Sequence, residues 1–109
     1  MAKGVLIALT NPVSAEREDD FNIWYDTVHA AEVMQLEGIA ALTRYKAKAQ
    51  VIPPAEPPLF RYLTVYQLDD VDQALQSLAD AQSGFQTSDA VDFATTISIG
   101  FEEIFSTRN

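Results

Sequence analysis

Leu59-Phe60-Arg61-Tyr62-Leu63-Thr64-Val65-Tyr66-Gln67-Leu68 reads LFRYLTVYQL. β-Branched and aromatic residues dominate it, which suits a pleated strand. Side chains alternate across a strand. Leu59, Leu63 and Val65 therefore share one face, and Phe60, Tyr62, Tyr66 and Leu68 share the other. Both faces are apolar, so both need a cover. Helices supply one. An open face of this kind is rarely left bare in a monomer, and a second copy of the chain is the simplest cover for it.

The neighbouring segments define the rest of the sheet. Val51 to Pro58 (VIPPAEPP) holds four of the five prolines, so it is a stiff loop and not a central strand. Before it, Ile39 to Ala49 alternates, with Arg44, Lys46 and Lys48 on one side and Thr43, Tyr45 and Ala47 on the other. Val5 to Leu9 is apolar on both sides and reads as a central strand. Thr95 to Phe105 reads as the last strand, with Ile97, Ile99, Phe101 and Phe105 on one face.

Two helices separate these strands. Ser14 is the expected N-cap of the first, with Glu16 and Glu18 favourable in its first turn. The helix is expected to reach about Leu36, with Phe21, Trp24, Tyr25, Val28, Ala31 and Glu32 in one broad stripe. Gly38 follows as a turn residue. Asp70 and Gln73 have capping-box spacing for a second helix, Val71 to about Gln82, whose apolar face carries Val71, Ala74, Leu75, Leu78 and Ala79. Phe85 to Phe93 is irregular or a short helical piece. The order is βαββαβ, an α+β ferredoxin-like domain spanning 1–109, with a four-stranded antiparallel sheet and two helices on one face. The bare face predicts a homodimer.

Composition narrows the function classes. The chain has 109 residues and a net charge of -9, with seven basic residues against sixteen acidic ones. Nucleic acid and anionic membrane surfaces need clustered Lys and Arg, so neither is an expected partner. With no cysteine, thiolate nucleophiles, disulfides and Cys-ligated metals are excluded. The VLIAL run near the N-terminus is too short for a signal core or a membrane span, and a cytoplasmic protein is the default. No Gly-rich phosphate loop is present. The acidic run Glu16-Arg17-Glu18-Asp19-Asp20 lacks a calcium-loop pattern and reads as a solvated helix start.

Three groups could carry chemistry. His29 is the only histidine. In an ideal helix it lies about 80° from Phe21, at the border between core and water. Tyr25 and Glu32 are its helix-surface neighbours. Glu32 would orient the imidazole and raise its pKa, the Tyr25 hydroxyl would hydrogen-bond to it, and the histidine would act as acid or base. The plainer alternative is a boundary histidine fastened by local hydrogen bonds. Tyr45, Phe60, Tyr62 and Tyr66 form the second group. They could line a pocket for an aromatic or polyketide-like ligand, or fill a dimer core. Arg44, Lys46, Lys48 and Arg61 form the third, suited to an anionic group or to salt bridges. One histidine cannot build a three-histidine zinc site, though it could be the single axial ligand of a haem.

Phe21 to Tyr45 (FNIWYDTVHAAEVMQLEGIAALTRY) resembles the helix-one motif of the EthD-like branch of the dimeric α+β barrel superfamily. The matching positions are Trp24, Tyr25, His29, Glu32, Gly38 and Tyr45. Ala31 and Glu37 stand where the family often has proline. The resemblance implies protomers whose sheets face each other in a dimer. It also implies functions ranging over cofactor-free monooxygenases, polyketide cyclases, isomerases and haem-handling enzymes. The resulting expectation is a small enzyme without cofactor or metal, acting on a hydrophobic small molecule. Its catalytic residues are His29, Tyr25 and Glu32, and Trp24, Arg44, Tyr45, Phe60, Tyr62 and Tyr66 contact substrate. The alternatives are a non-catalytic binding or accessory protein of a catabolic pathway, and a haem protein.

Overall fold

Gly4–Thr10 (β1) is hydrogen-bonded on both sides in the computed structural model, which describes residues 2–108. Its partners are Tyr62–Leu68 (β3) and Ile97–Glu102 (β4), and β3 pairs in turn with Ile39–Lys46 (β2). The strand order is β2-β3-β1-β4, antiparallel throughout. This is the expected ferredoxin-like arrangement. Three of the four strands are shorter than the sequence suggested, while β1 extends one residue beyond Val5–Leu9 at each end. The expected strand from Leu59 starts at Tyr62, and the one expected to reach Ala49 ends at Lys46. The last spans Ile97 to Glu102 instead of Thr95 to Phe105. Gln50 and the proline loop account for two of these ends. The Gln50 side chain donates to the Pro53 carbonyl and accepts from the Leu59 amide, which holds that backbone outside the ladder.

The second helix, α3 (Val71–Ala81; α1 and α2 belong to the first), begins where expected. Asp70 caps it by accepting from the Gln73 amide at 3.2 Å. Gly38 has φ +90°, and a Cβ there would lie 2.8 Å from the Ala74 backbone nitrogen. Only glycine supplies both the conformation and the close approach of this turn to α3.

The first helix departs from expectation. A 3₁₀ turn (Ala15–Arg17) leads into α1 (Glu18–Trp24), a π-helical segment (Tyr25–His29) and α2 (Ala30–Val33). Ser14 sits at the N-cap position, but its side chain makes no capping bond. The π turn closes i→i+5 hydrogen bonds and so spends an extra residue. The inward positions become Phe21, Tyr25 and Val33, all buried, with His29 half-buried between the last two, a spacing of four throughout. Ala31, expected inside, is exposed.

The helices cover one face of the sheet. Leu6, Ala8, Val33, Ile39, Tyr66, Leu68, Val71 and Ala74 form one core cluster there. Phe21, Tyr25, Tyr62, Ala90 and Val91 form another. The opposite face has no cover among the described residues. The pairing registers run Tyr45–Leu63–Leu9–Ile97 and Thr43–Val65–Ile7–Ile99 across it, and Val5 lies opposite Phe101. Tyr45 is 53% exposed, Ile99 44% and Phe101 46%. Among the described residues, no helix is long and apolar enough to cross a membrane.

Candidate functional site

A cavity of about 650 Å³ lies between the helices and the sheet, within the size range of small-molecule sites. Leu6, Ala8, Thr10 and Tyr66 form its floor. The first helix contributes Trp24, Tyr25, His29 and Val33. Leu75, Leu78 and Ala79 come from α3, and the chain that follows brings Phe85, Thr87, Val91 and Phe93 across the opening. The edge strand closes it with Ser98 and Gly100. Gly100 also packs against Leu75, where a Cβ would come within 3.1 Å of the leucine side chain.

His29 reaches this cavity because of the π turn. Its ring stacks on Trp24 at 4.9 Å between centroids, with the planes 16° apart. Tyr25 and Phe85 present their rings edge to face, at 5.2 and 5.6 Å. Burial among these rings lowers the imidazole pKa below its ordinary value, against the weaker opposing effect of Glu32. His29 Nδ1 is buried with no hydrogen-bond partner. Packing, and not a carboxylate, fixes the ring.

The expected role of Glu32 is therefore corrected. The carboxylate makes no hydrogen bond to His29; it accepts from the Gln86 amide, at 3.1 Å to one oxygen and 3.3 Å to the other. The Trp24 indole donates to the Gln86 carbonyl at 3.2 Å. The Gln86 backbone is thus clipped through both its N–H and its carbonyl, beside Phe85, which packs on His29. The raised histidine pKa and the Tyr25–His29 hydrogen bond expected from α-helical spacing are also absent, because the π turn alters that spacing and burial decides the sign.

The remaining expected residues divide between faces. Tyr66 lines the cavity, and burial, with Tyr25 nearby, pushes its phenol pKa far up. Tyr62 is buried beside the cavity without lining it. Its hydroxyl donates to Glu18 at 2.5 Å and accepts from the Asn22 side chain at 3.1 Å. Glu18 also pairs with Arg61, and its pKa is lowered, first by the Tyr62 hydrogen bond. Tyr45 projects from the bare face, since it pairs with Leu63, and Phe60 precedes β3 and stays outside the cavity wall. Arg44 is already paired within the chain. Its guanidinium lies 4.4 Å from the Tyr25 ring centroid, donates to Asp26 and Asn22, and clamps β2 to α1. The sequence did not single out Phe85, Leu78 or Ser98 as site residues, because only tertiary packing brings them to His29's cavity. Among the described residues, no group of three or more His, Cys, Asp or Glu is placed to hold a metal ion.

No family model matches this chain, and no curated protein does. Its fold is shared by solved structures. An ethyl tert-butyl ether D (EthD) family protein from Bacillus halodurans C-125 superposes with a TM-score of 0.61 at 13% identity, over 95% of this chain and 100% of that one. A "putative monooxygenase" from Shewanella loihica PV-4 superposes with a TM-score of 0.56 at 14% identity, over 98% and 97%. Identity this low speaks for the fold. The shared fold is the ferredoxin-like α+β arrangement that the Phe21–Tyr45 resemblance implied.

Proposed function

We propose that the protein is a small enzyme that takes a hydrophobic ring compound into the cavity between helices and sheet and removes a proton from it with His29. The observation that carries this reading is the chain's single imidazole, packed by aromatic rings whose burial of it disfavours the charged form, in the wall of a largely apolar cavity. A histidine held neutral is ready to accept a proton near pH 7. Removing one from a phenol, or from carbon beside a carbonyl, begins isomerisation, cyclisation and cofactor-free oxygenation alike. Monooxygenation, the activity named for the Shewanella structure, is one member of that set. Trp24 and Tyr25 hold the ring in place, and Tyr66 shapes the floor. Glu32 serves indirectly, through the Gln86 clip.

The assembly belongs to the same proposal. The bare sheet face pairs with that of a second copy, which leaves each cavity on the helical side of its own protomer. The test is turnover of hydroxylated polycyclic aromatics under air by the wild type and by His29→Phe, which keeps the stacking. Loss of turnover with an unchanged melting temperature supports the proposal. Turnover that survives contradicts it.

A second reading is a binding protein without chemistry. What favours it is that no acceptor fixes the tautomer of His29, as catalytic histidines usually require. It predicts ligand binding without turnover in both proteins.

A further inference from the structure

The cavity wall has a charge pattern that the rest of the chain does not share. Asp, Glu, Lys and Arg make up 21% of the residues. At that share several would fall on a wall of nineteen residues, yet none does. Two charged side chains beside the wall are engaged elsewhere. Glu32 holds the Gln86 amide, and Arg44 is bound to Asp26 and Asn22 behind the Tyr25 ring. Burial disfavours a charge on His29. Among the uncharged polar wall residues, Gln82, Thr87 and Ser98 are exposed at the rim. The floor is Leu6, Ala8, Thr10 and Tyr66, all buried, and the Thr10 hydroxyl has no hydrogen-bond partner there.

We infer that the ligand of this cavity is an uncharged, largely apolar ring compound whose oxygen substituents meet only uncharged polar groups, at the Gln82–Thr87–Ser98 rim or at Thr10 in the floor. The inference rests on the reading of the cavity as a ligand site and names the substrate class for it. A carboxylate or phosphate entering the cavity would lose hydration and meet no cation, a cost that neutral phenols, quinones and lactones avoid. Specificity here comes from the penalty on the wrong ligand as much as from attraction to the right one. Nucleotides, sugar phosphates and acyl thioesters of phosphorylated carriers are excluded from the cavity by the same reasoning.

Trp24 is the only tryptophan and lines the cavity, so its fluorescence reports occupancy. The experiment titrates the protein at pH 7 with 2-hydroxyanthracene, which is neutral, and with anthracene-2-carboxylate, its anionic counterpart of similar shape. Salt at about 0.5 M screens the protein's outer charge. The neutral probe should bind about a hundredfold more tightly, as an uncompensated buried charge requires. Ser98→Lys, at an exposed rim position, should narrow that gap about tenfold by supplying a counter-charge. Equal affinity of the two probes, or a gap that Ser98→Lys leaves unchanged, would overturn the inference while leaving the ligand site standing. Binding of neither probe would overturn the ligand site itself.

Discussion

Trp24 and His29 lie face to face, 4.9 Å apart, five residues apart in sequence across a π-helical turn. In an uninterrupted α-helix that separation would turn the two side chains well away from each other. A protonated imidazole quenches a stacked indole. Trp24 fluorescence should therefore fall as the pH drops, with a midpoint below about 6.5, the ordinary histidine value. His29→Phe should remove the transition. A midpoint above that value would mean that a carboxylate, and not burial, governs the ring.

Stability follows the same sign. The folded-state pKa of His29 is depressed, so the unfolded chain binds the proton more readily. The stability contribution is complete above about pH 6.5 and is lost as pH falls toward the lower folded value. Glu18 adds a second loss below its ordinary value of 4.5, since its folded pKa is also lowered. Thermal melts of wild type and His29→Phe should diverge in the first window and run parallel in the second. Identical curves throughout would contradict the burial of His29.

Glu32→Ala should unclip Gln86 from one side. The Gln86 amide should exchange hydrogen faster, and bound 2-hydroxyanthracene should dissociate faster, because Phe85 and Thr87 lose their anchor. The pKa of His29 should move down, not up, since Glu32 is the group that opposes desolvation. Hydrogen-exchange mass spectrometry and the Trp24 titration read these effects separately. Unchanged exchange at Gln86 would show that the Trp24 bond suffices.

Gly38→Ala should destabilise the fold by about 1–3 kcal/mol, through both the positive φ and the clash with Ala74. Chemical denaturation measures it. Gly84→Ala, where a Cβ meets open space, is the control and should change little.

Ile99→Glu places a charge in the middle of the bare sheet face without touching the cavity. Light scattering should find the wild type dimeric and the variant monomeric, with Trp24 titrations nearly unchanged. A monomeric wild type would leave this apolar face unexplained.

The fold was legible because alternation and capping are local. LFRYLTVYQL and the Asp70–Gln73 pair state their roles in the sequence, and the structure makes a strand of Tyr62–Leu68 and caps α3 with Asp70. The π turn was not legible. YDTVH contains no residue that forces a wider turn, and the pattern of types fits either period. That single inserted residue turns His29 inward, leaves Ala31 outside, and sends Glu32 to Gln86. Tyr45 was grouped with Tyr62 because both lie on paired strands. Register decides which face they share, and Tyr45 opposite Leu63 puts them on opposite sides. Phe85 was hidden for another reason: it follows a helix end, in a segment with no periodicity to read.

The most direct measurement is a long-range ¹H–¹⁵N imidazole spectrum of uniformly labelled protein, with and without 2-hydroxyanthracene. A single histidine makes the assignment unambiguous. The free protein should show a neutral ring at pH 7, and the probe should shift its nitrogen signals. A ring already charged at pH 7, or nitrogen signals that do not move while the probe binds, would contradict His29 as the proton acceptor of this cavity.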